Sequence, residues 1–571
     1  MAYQQAGDRA ERYPSPNCQG RDQVKPEEQE QPLWYLGLDV GTTGISAVLV
    51  NDRTRCFYPL EWCESDLKGS VTRQKRRWGT ELEPLSLDEG IPVALNRLKP
   101  YLDEGLPYVE GPGVQWSDDR SLSYRTLIEG MARQLRALLE VRESSRTVRS
   151  RLNDASVQPL SNRELQEIVS RLSGVVVGCP YQWSDAYRFN LREAILKAGW
   201  VDRGEKIRFV DEAIALVLSE LRDTGQGIQW QGATLIIDSG ATTTEFALVD
   251  IPLQRSQLSY KDFHLGSLSY GGDAIDQDII CQLLLSTDNL FLPPSDGERG
   301  EKGILFPEPG TADRQKRDRL ARYLRSIKWG PAMFEIAEEI KYRLQFEDRM
   351  TVVLDEQKWT VTRRDLELKV FVPFLRGLNR EINRLFAQTG TASQGVRQAL
   401  CTGGSASLGA IARWLRQKLP SAAIIQDRMD RHEAPKCSRV AYGLANLPLN
   451  PLFLDRPRHQ YSDYFLLLEL LRVMPAIPIS EKDIFQLLEK QGINTDSCRD
   501  RLRRLLQGTL PPGFDRAEAV VEKPWCSQLD GDRYQLNTDY YKDLLIQCDR
   551  LLELSAQNLE EPYLILSPNM V

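Results

Sequence analysis

Two stretches of this chain constrain its fold most, because each breaks a buried strand pattern at the same point with the same residue types. LWYLGLDVGTTGISAVLV, from Leu33 to Val50, and TLIIDSGATTTEFALV, from Thr234 to Val249, both run from an apolar strand into an Asp, a Gly-containing turn with threonines, and a second apolar strand. The interrupting residues are poor strand formers and good turn formers. A turn of this composition suits an anion. Gly41 and Gly44 let backbone N–H groups come close to a phosphate, Thr42 and Thr43 add hydroxyl donors, and Asp39 can hold a hydrated divalent cation. One such turn alone more often reads as an ordinary hairpin. The second, with Asp238, Gly240, Thr242, Thr243 and Thr244, makes a facing pair that would grip a nucleotide's phosphates from both sides.

The sequence between and beyond these stretches is α/β material. GVVVGCP is a short buried-strand pattern followed by the helical DAYRFNLREAILKAG, and QALCTGGSASLGAIARWLRQKL is a strand that ends in Gly403, Gly404 and Ser405 and runs into a helix. At 571 residues the chain exceeds one ordinary core, so two or more domains are expected. A net charge of -7 gives no global argument for nucleic acid or an anionic membrane. Ten cysteines without a C-x-x-C pair, and no secretory-type apolar leader, point to a reducing cytoplasmic setting without disulfides or zinc. The three histidines, His264, His432 and His459, are too scattered for a His-based triad. The apolar run YFLLLELLRVMPAIPI is interrupted by Glu469, Arg472 and prolines, so no membrane crossing is expected.

Residues 1–31 are polar and read as a disordered leader, and polar interruptions near 144–163 and 286–319 read as surface insertions. The basic run DRQKRDRLARYLR reads as a solvated helical face or a nucleic-acid patch.

In this order the motifs resemble the actin, sugar-kinase and heat-shock chaperone superfamily, and look most like the nucleotide-binding domain of the 70-kDa heat-shock chaperones. LGLDVGTTGIS is similar to that family's first phosphate motif, IIDSGATTTEF to its second and LCTGGSASLGAIARWL to its adenosine motif. VVVGCPYQWSDAYRFNLREAILKAGW, FVDEAIALVL, HLGSLSYGGDAIDQDI and AEEIKYRL resemble the pieces between. The resemblance implies that residues 32–447 form an actin-like, two-lobed ATPase domain built from a duplicated ribonuclease-H-like fold. It implies ATP or ADP as ligand, with Asp39 and Asp238 organising Mg2+ through water. Thr42, Thr43, Thr242 and Thr243 would meet phosphates beside Gly41, Gly240, Gly271 and Gly272, and Glu212 would help place the attacking water. Glu338, Lys341 and Tyr342 would meet the adenosine beside Gly403, Gly404 and Ser405. Lys99 falls where the family has its catalytic lysine, and equally suits an exposed position on a short helix. Four departures bear on affinity and turnover: Asp273 stands for a Glu, Tyr342 and Ser407 stand for stacking arginines, and Ala241 stands for a glycine. Pro180 and Arg188 keep the spacing of the family's interdomain switch.

After Leu447 the family's usual continuation is missing. Residues 448–462 read as a Pro-punctuated linker, and 463–571 as a helical or winged-helix-like module. Helices are expected over Tyr464 to Met474, Glu481 to Lys490, Thr495 to Gln507 and Tyr540 to Ser555, with a hairpin around Asp530 and Gly531. Arg499, Arg501, Arg503 and Arg504 cluster where a DNA reader would want them, but Asp496, Asp500, Asp530 and Asp532 offset them, so protein docking is favoured. The expectation is a weak chaperone-like ATPase whose nucleotide state controls a protein partner or client. The alternatives are a nucleotide-gated scaffold with little turnover and an actin-like filament subunit or adaptor.

Overall fold

Each interrupted strand pair lies inside a sheet of its own. The computed structural model describes residues 31–64, 85–86, 92–93, 98–109, 113–117, 120–139, 146–150, 158–221, 230–285, 306–355, 357–427, 437–514, 524–529 and 531–563. The expected leader, most of the 286–319 insertion, His432 and Asp530 lie outside these residues. The first sheet contains β1 (Trp34–Val40), β2 (Ile45–Asn51), β3 (Phe57–Glu64), β4 (Arg146–Ser150), β5 (Gly174–Cys179) and β6 (Ile207–Asp211), in the order β6-β5-β1-β2-β3-β4. The second contains β7 (Gly232–Ser239), β8 (Thr244–Ile251), β9 (Phe263–Leu268), β10 (Gln398–Thr402) and β11 (Ala423–Gln426), in the order β9-β8-β7-β10-β11. In both sheets the first three strands meander antiparallel and two later strands add parallel to the first. The same plan therefore occurs twice in a mixed α/β chain. Its central strands are buried on both faces, which is why they read as unbroken apolar runs.

Helices α1 (Asp185–Ala198) and α2 (Glu212–Glu220) follow β5 and β6. Along the second sheet come α3 (Gly272–Ile279), α4 (Arg314–Ser326), α5 (Gly330–Arg343) and α6 (Gly409–Lys418), and then α7 (Arg439–Asn446). Leu36, Leu38, Val175 and Val177 pack on Tyr187, Leu191 and Ile195 of α1, whereas Leu235, Phe246 and Cys401 pack on Ile275, Ile340 and Ile411. A third cluster joins the sheets through α2 and α7: Val176 and Val210 on one side, Ile236, Ala247 and Leu400 on the other. The basic run forms α4, and Arg317 on it is buried against Asp278 at 3.1 Å. Part of the 144–163 interruption is strand β4, paired with β3.

The C-terminal helices are α8 (Asp463–Val473), α9 (Glu481–Lys490), α10 (Thr495–Leu506) and α11 (Thr538–Leu554). Ser480 caps α9 and Gly492 and Gly508 take left-handed φ of 88° and 90° beyond α9 and α10, as helix stops do. Strands β12 (Ile479–Ser480), β13 (Cys526–Gln528) and β14 (Arg533–Leu536) form a small sheet in the order β12-β14-β13. The core of this region includes Leu106, Tyr108, Ala186 and Phe189, so α1 is buried on both sides. The Pro-punctuated linker is wound into short helices, with Phe453, His459 and Tyr461 buried. No helix among the described residues is long and apolar enough to cross a membrane.

The seam between the sheets makes a test. A methyl group on Gly443 of α7 would overlap the carbonyl oxygen of Ala215 on α2. On an open helix Gly→Ala stabilises by about 1 kcal/mol. Here Gly443→Ala is expected to destabilise by about 1–3 kcal/mol through overpacking. The midpoint of denaturant unfolding, at unchanged slope, reads the sign.

Candidate functional site

The two turns have the same construction. Gly41 N–H donates to the Gly44 carbonyl at 2.9 Å, and Gly240 N–H donates to the Thr243 carbonyl at 2.9 Å. They meet each other: the hydroxyls of Thr42 and Thr242 lie 3.2 Å apart, 200 residues distant in the chain. Because β1 and β7 lead into these turns, Asp39 and Asp238 arrive just behind them, and Asp238 feels the charge of Asp39.

The sequence-picked residues Gly271, Gly272, Gly403 and Ser405 close around the second turn. Gly403 has φ of 92°, and a Cβ there would stand 2.6 Å from the Asp238 carboxylate and 2.5 Å from the Ser239 carbonyl. Only glycine fits that approach. Ser405 donates from its backbone to Ser239 O at 2.9 Å and from its hydroxyl to Gly240 O at 3.0 Å. Gly272 N–H donates to Gly240 O at 3.0 Å, and a Cβ on Gly271 would lie 2.6 Å from Ala241 O. Lys341 reaches from α5 to Asp276 at 2.8 Å and to the Gly272 carbonyl at 3.4 Å. Gln345, just beyond α5, accepts from Gly409 N–H at 3.0 Å, which ties the chain after α5 to the start of α6. Ser407 donates to the Gly404 carbonyl at 2.7 Å. Glu338 is exposed on α5, and the ring of Tyr342 lies against Phe346 at 5.6 Å.

Lys99 is where the two readings of the sequence part. The structure buries it, with Nζ 2.6 Å from the Glu212 carboxylate and 5.6 Å over the Trp183 ring. Burial alone would lower the ammonium pKa, and Glu212 reverses that, so the lysine stays charged. It is the cation among an excess of carboxyls. Burial first, then the charge of Glu212, pushes Asp39 up to about 6 against Lys99 and a hydrogen bond from Ser438. Burial, with Glu212, Asp39 and Glu245, drives Asp238 well above the carboxylate range. Burial likewise lifts Asp276 to about 7 despite Lys341.

Two members are absent from the sequence reading. Ser438 donates to Asp39 at 2.6 Å and caps α7, accepting from Ala441 N–H at 3.1 Å. Its signal was a serine just before the helical RVAYGLAN. Glu245 accepts from Ser267 at 2.5 Å and from Tyr181 N–H at 3.0 Å, so it links the second sheet to the residue after Pro180. Its signal was a charge on a strand buried on both faces.

Among the described residues no cluster of three or more His, Cys, Asp or Glu could hold a metal by itself. The donor set of two hard carboxylates, Asp39 and Asp238, beside glycine-lined turns suits a hydrated Mg2+ that shares its coordination with water and phosphate. No model of a known protein family matches the chain, and no curated protein sequence matches it.

The electrostatics yield a pH test. Burial, opposed by Ser267 and reinforced by Glu212, raises Glu245 to about 8 from 4.5. Between those values the folded protein keeps a proton that the unfolded chain has lost, so this group's contribution falls as pH rises. Glu245→Gln should remove that part of the slope and stabilise the ligand-free protein above pH 8 by on the order of a few kcal/mol. Denaturant unfolding of both proteins across the window checks it. A variant slope equal to the wild type refutes the assignment.

Proposed function

We propose that this chain binds Mg-ATP between the ends of its two sheets and hydrolyses it slowly, in the manner of an actin-like, chaperone-related ATPase. The carrying observation is the 3.2 Å contact of Thr42 with Thr242, which sets the two Gly/Thr turns face to face over Asp39 and Asp238. The repeated strand plan supports a duplicated ribonuclease-H-like core with two lobes. When bound, Mg2+ would neutralise phosphate charge beside Asp39 and Asp238. The protein's own part is positioning, which carries most of the catalysis in phosphoryl transfer. Thr42, Thr43 and Thr243 would orient phosphates, Ser438 would hold Asp39, and Glu212, steadied by Lys99, would orient a water. The glycines at 271, 272 and 403 let a nucleotide approach the backbone.

Isothermal titration and a phosphate-release assay test this reading. Asp39→Asn and Thr243→Ala are expected to fold normally and to hydrolyse ATP at least about tenfold more slowly, since each removes a group that acts on phosphate or metal. Folded wild-type protein that binds no nucleotide overturns it.

The nucleotide state would control a protein partner or client through the C-terminal module. Arg188 pairs with Asp185 at 3.0 Å, and the other oxygen of that carboxylate accepts Asp463 N–H at 2.6 Å and faces Arg501 at 3.4 Å. Burial opposes ionisation of Asp185, but Arg501 and Arg188 hold it down to about 2. Arg501, on α10, is therefore committed to an internal contact, which counts against a DNA-reading role for that helix face. If closure around ATP moves α1, the module must dock with different affinity in the two states. A coupling of about 1–3 kcal/mol is expected. Hydrogen exchange over residues 447–461 should differ between saturating ADP and saturating ATP. Equal protection in both would make the module a passive attachment.

A further inference from the structure

Between α1 and the C-terminal region lies a partly open cleft with about 310 Å3 of empty space, counting its mouth. Its inner part has room for the centre of one water-sized group. Asp185, Arg188, Arg192, Arg458, His459 and Tyr563 line it. Three guanidinium groups thus face a single carboxylate. That carboxylate is already shared between Arg188 and Arg501. Asp211 stands 4.0 Å from Arg458, at the limit of ion-pair range, and burial lifts it to about 6.

The donors are also incompletely used. Nε of Arg188 and Nε of Arg192 are buried and meet no protein acceptor, on side chains of residues only 6% and 4% exposed. Arg192 is fixed by its neighbours, with Tyr563 stacked 3.9 Å from the guanidinium and Phe209 at 5.1 Å on another ring face. Arg458 is held by the carbonyls of Tyr181 and Trp183 at 3.5 Å. A buried cation with an unmet N–H is costly, and arginines fixed in this way are preorganised for a planar or tetrahedral oxyanion. Burial and then Arg188, Arg458 and Arg192 hold His459 well below its usual pKa, so the imidazole is neutral and adds no charge of its own.

We propose that this arginine-lined cleft binds a small inorganic oxyanion of the phosphate type, one oxygen entering the inner space between Arg188 and Arg192, and that the bound anion fastens the C-terminal region to α1. Both sides of the cleft supply ligands: α1 gives Arg188 and Arg192, and the linker gives Arg458 and His459. The anion therefore stabilises the docked arrangement over an undocked one, by mass action. This proposal does not rest on the ATP reading, and it concerns a second place on the molecule.

The test is calorimetric titration of the full chain with inorganic phosphate at constant ionic strength, with chloride as the comparison and ADP with Mg2+ present at saturation. Wild-type protein should bind phosphate and show protection from hydrogen exchange at residues 456–463. Arg192→Gln should weaken phosphate at least about tenfold, the loss expected of one charge-assisted hydrogen bond. Arg458→Lys, which keeps the charge but not the fork, should also weaken it, and decides the matter if Arg192→Gln does not fold. Thr43→Ala, in the first turn, should leave this binding unchanged. No phosphate binding by wild type means the cleft holds water only, and the proposal fails. It also fails if phosphate binds wild type and the arginine variants equally, or if Thr43→Ala abolishes binding.

Discussion

The whole site depends on how closely α7 can lie against its neighbours. A methyl on Gly37 of β1 would overlap the backbone nitrogen of Ala445, and one on Gly443 would overlap the Ala215 carbonyl. Helix α7 is thus pressed between β1 and α2 with backbone nearly touching backbone on both sides. That closeness fixes the spacing of the two sheets, because the cluster around α2 and α7 contains residues from each. It also delivers Ser438, the cap of α7, to Asp39. Helix capping, sheet spacing and the setting of one carboxylate therefore belong to a single packing arrangement.

The consequence is a pocket richer in negative groups than packing alone would favour. The charge of Glu212 raises the proton affinity of Asp39, Asp238 and Glu245, and Lys99 pairs with Glu212 itself. Burying several carboxyls without matching cations costs stability, as the raised proton affinities of Asp39, Asp238 and Glu245 show. In the reading proposed above, a ligand that brings positive charge to the two glycine turns would offset that cost. Local conflict of this kind is expected where function outweighs stability.

Much of this was legible in the sequence, and what was missed has physical causes. The turns showed because Asp, Gly and Thr cannot be mistaken for strand interior, and the tail helices showed because their caps and stops are local: α9 spans the expected Glu481 to Lys490. Lys99 was ambiguous because its meaning depends on Glu212, far along the chain, and no local pattern reports that pairing. Strand β4 hid in a polar stretch because its pairing with β3 is set by a distant partner. The helices of the linker did not show because proline punctuates it, yet Pro451 and Pro457 sit in the first turns of short helices, where a missing N–H costs nothing.

Helix α1 is the element through which these parts can influence each other. Its first residue, Asp185, is tied to Arg188 on the same helix and to Asp463 and Arg501 of the C-terminal region. One turn further on, Phe189 packs edge-on against Tyr464 at 5.4 Å, and Glu193 accepts the backbone N–H of Ala556 at 2.8 Å. The opposite face carries Tyr187, whose hydroxyl donates to the Gly178 carbonyl at 3.2 Å on β5. The segment leading into α1 runs from Pro180 to Ser184. Glu245 holds it at Tyr181, Lys99 covers Trp183, and Asp103 accepts from Ser184 N–H at 2.7 Å. A displacement of Glu245 or Lys99 thus reaches α1 through four residues, without crossing a gap in the packing. The linker meets the same segment, where Arg458 donates to the Tyr181 and Trp183 carbonyls. The Pro180 to Ser184 segment therefore touches the buried carboxyl Glu245, the lysine that holds Glu212, and the linker that leads into the C-terminal region.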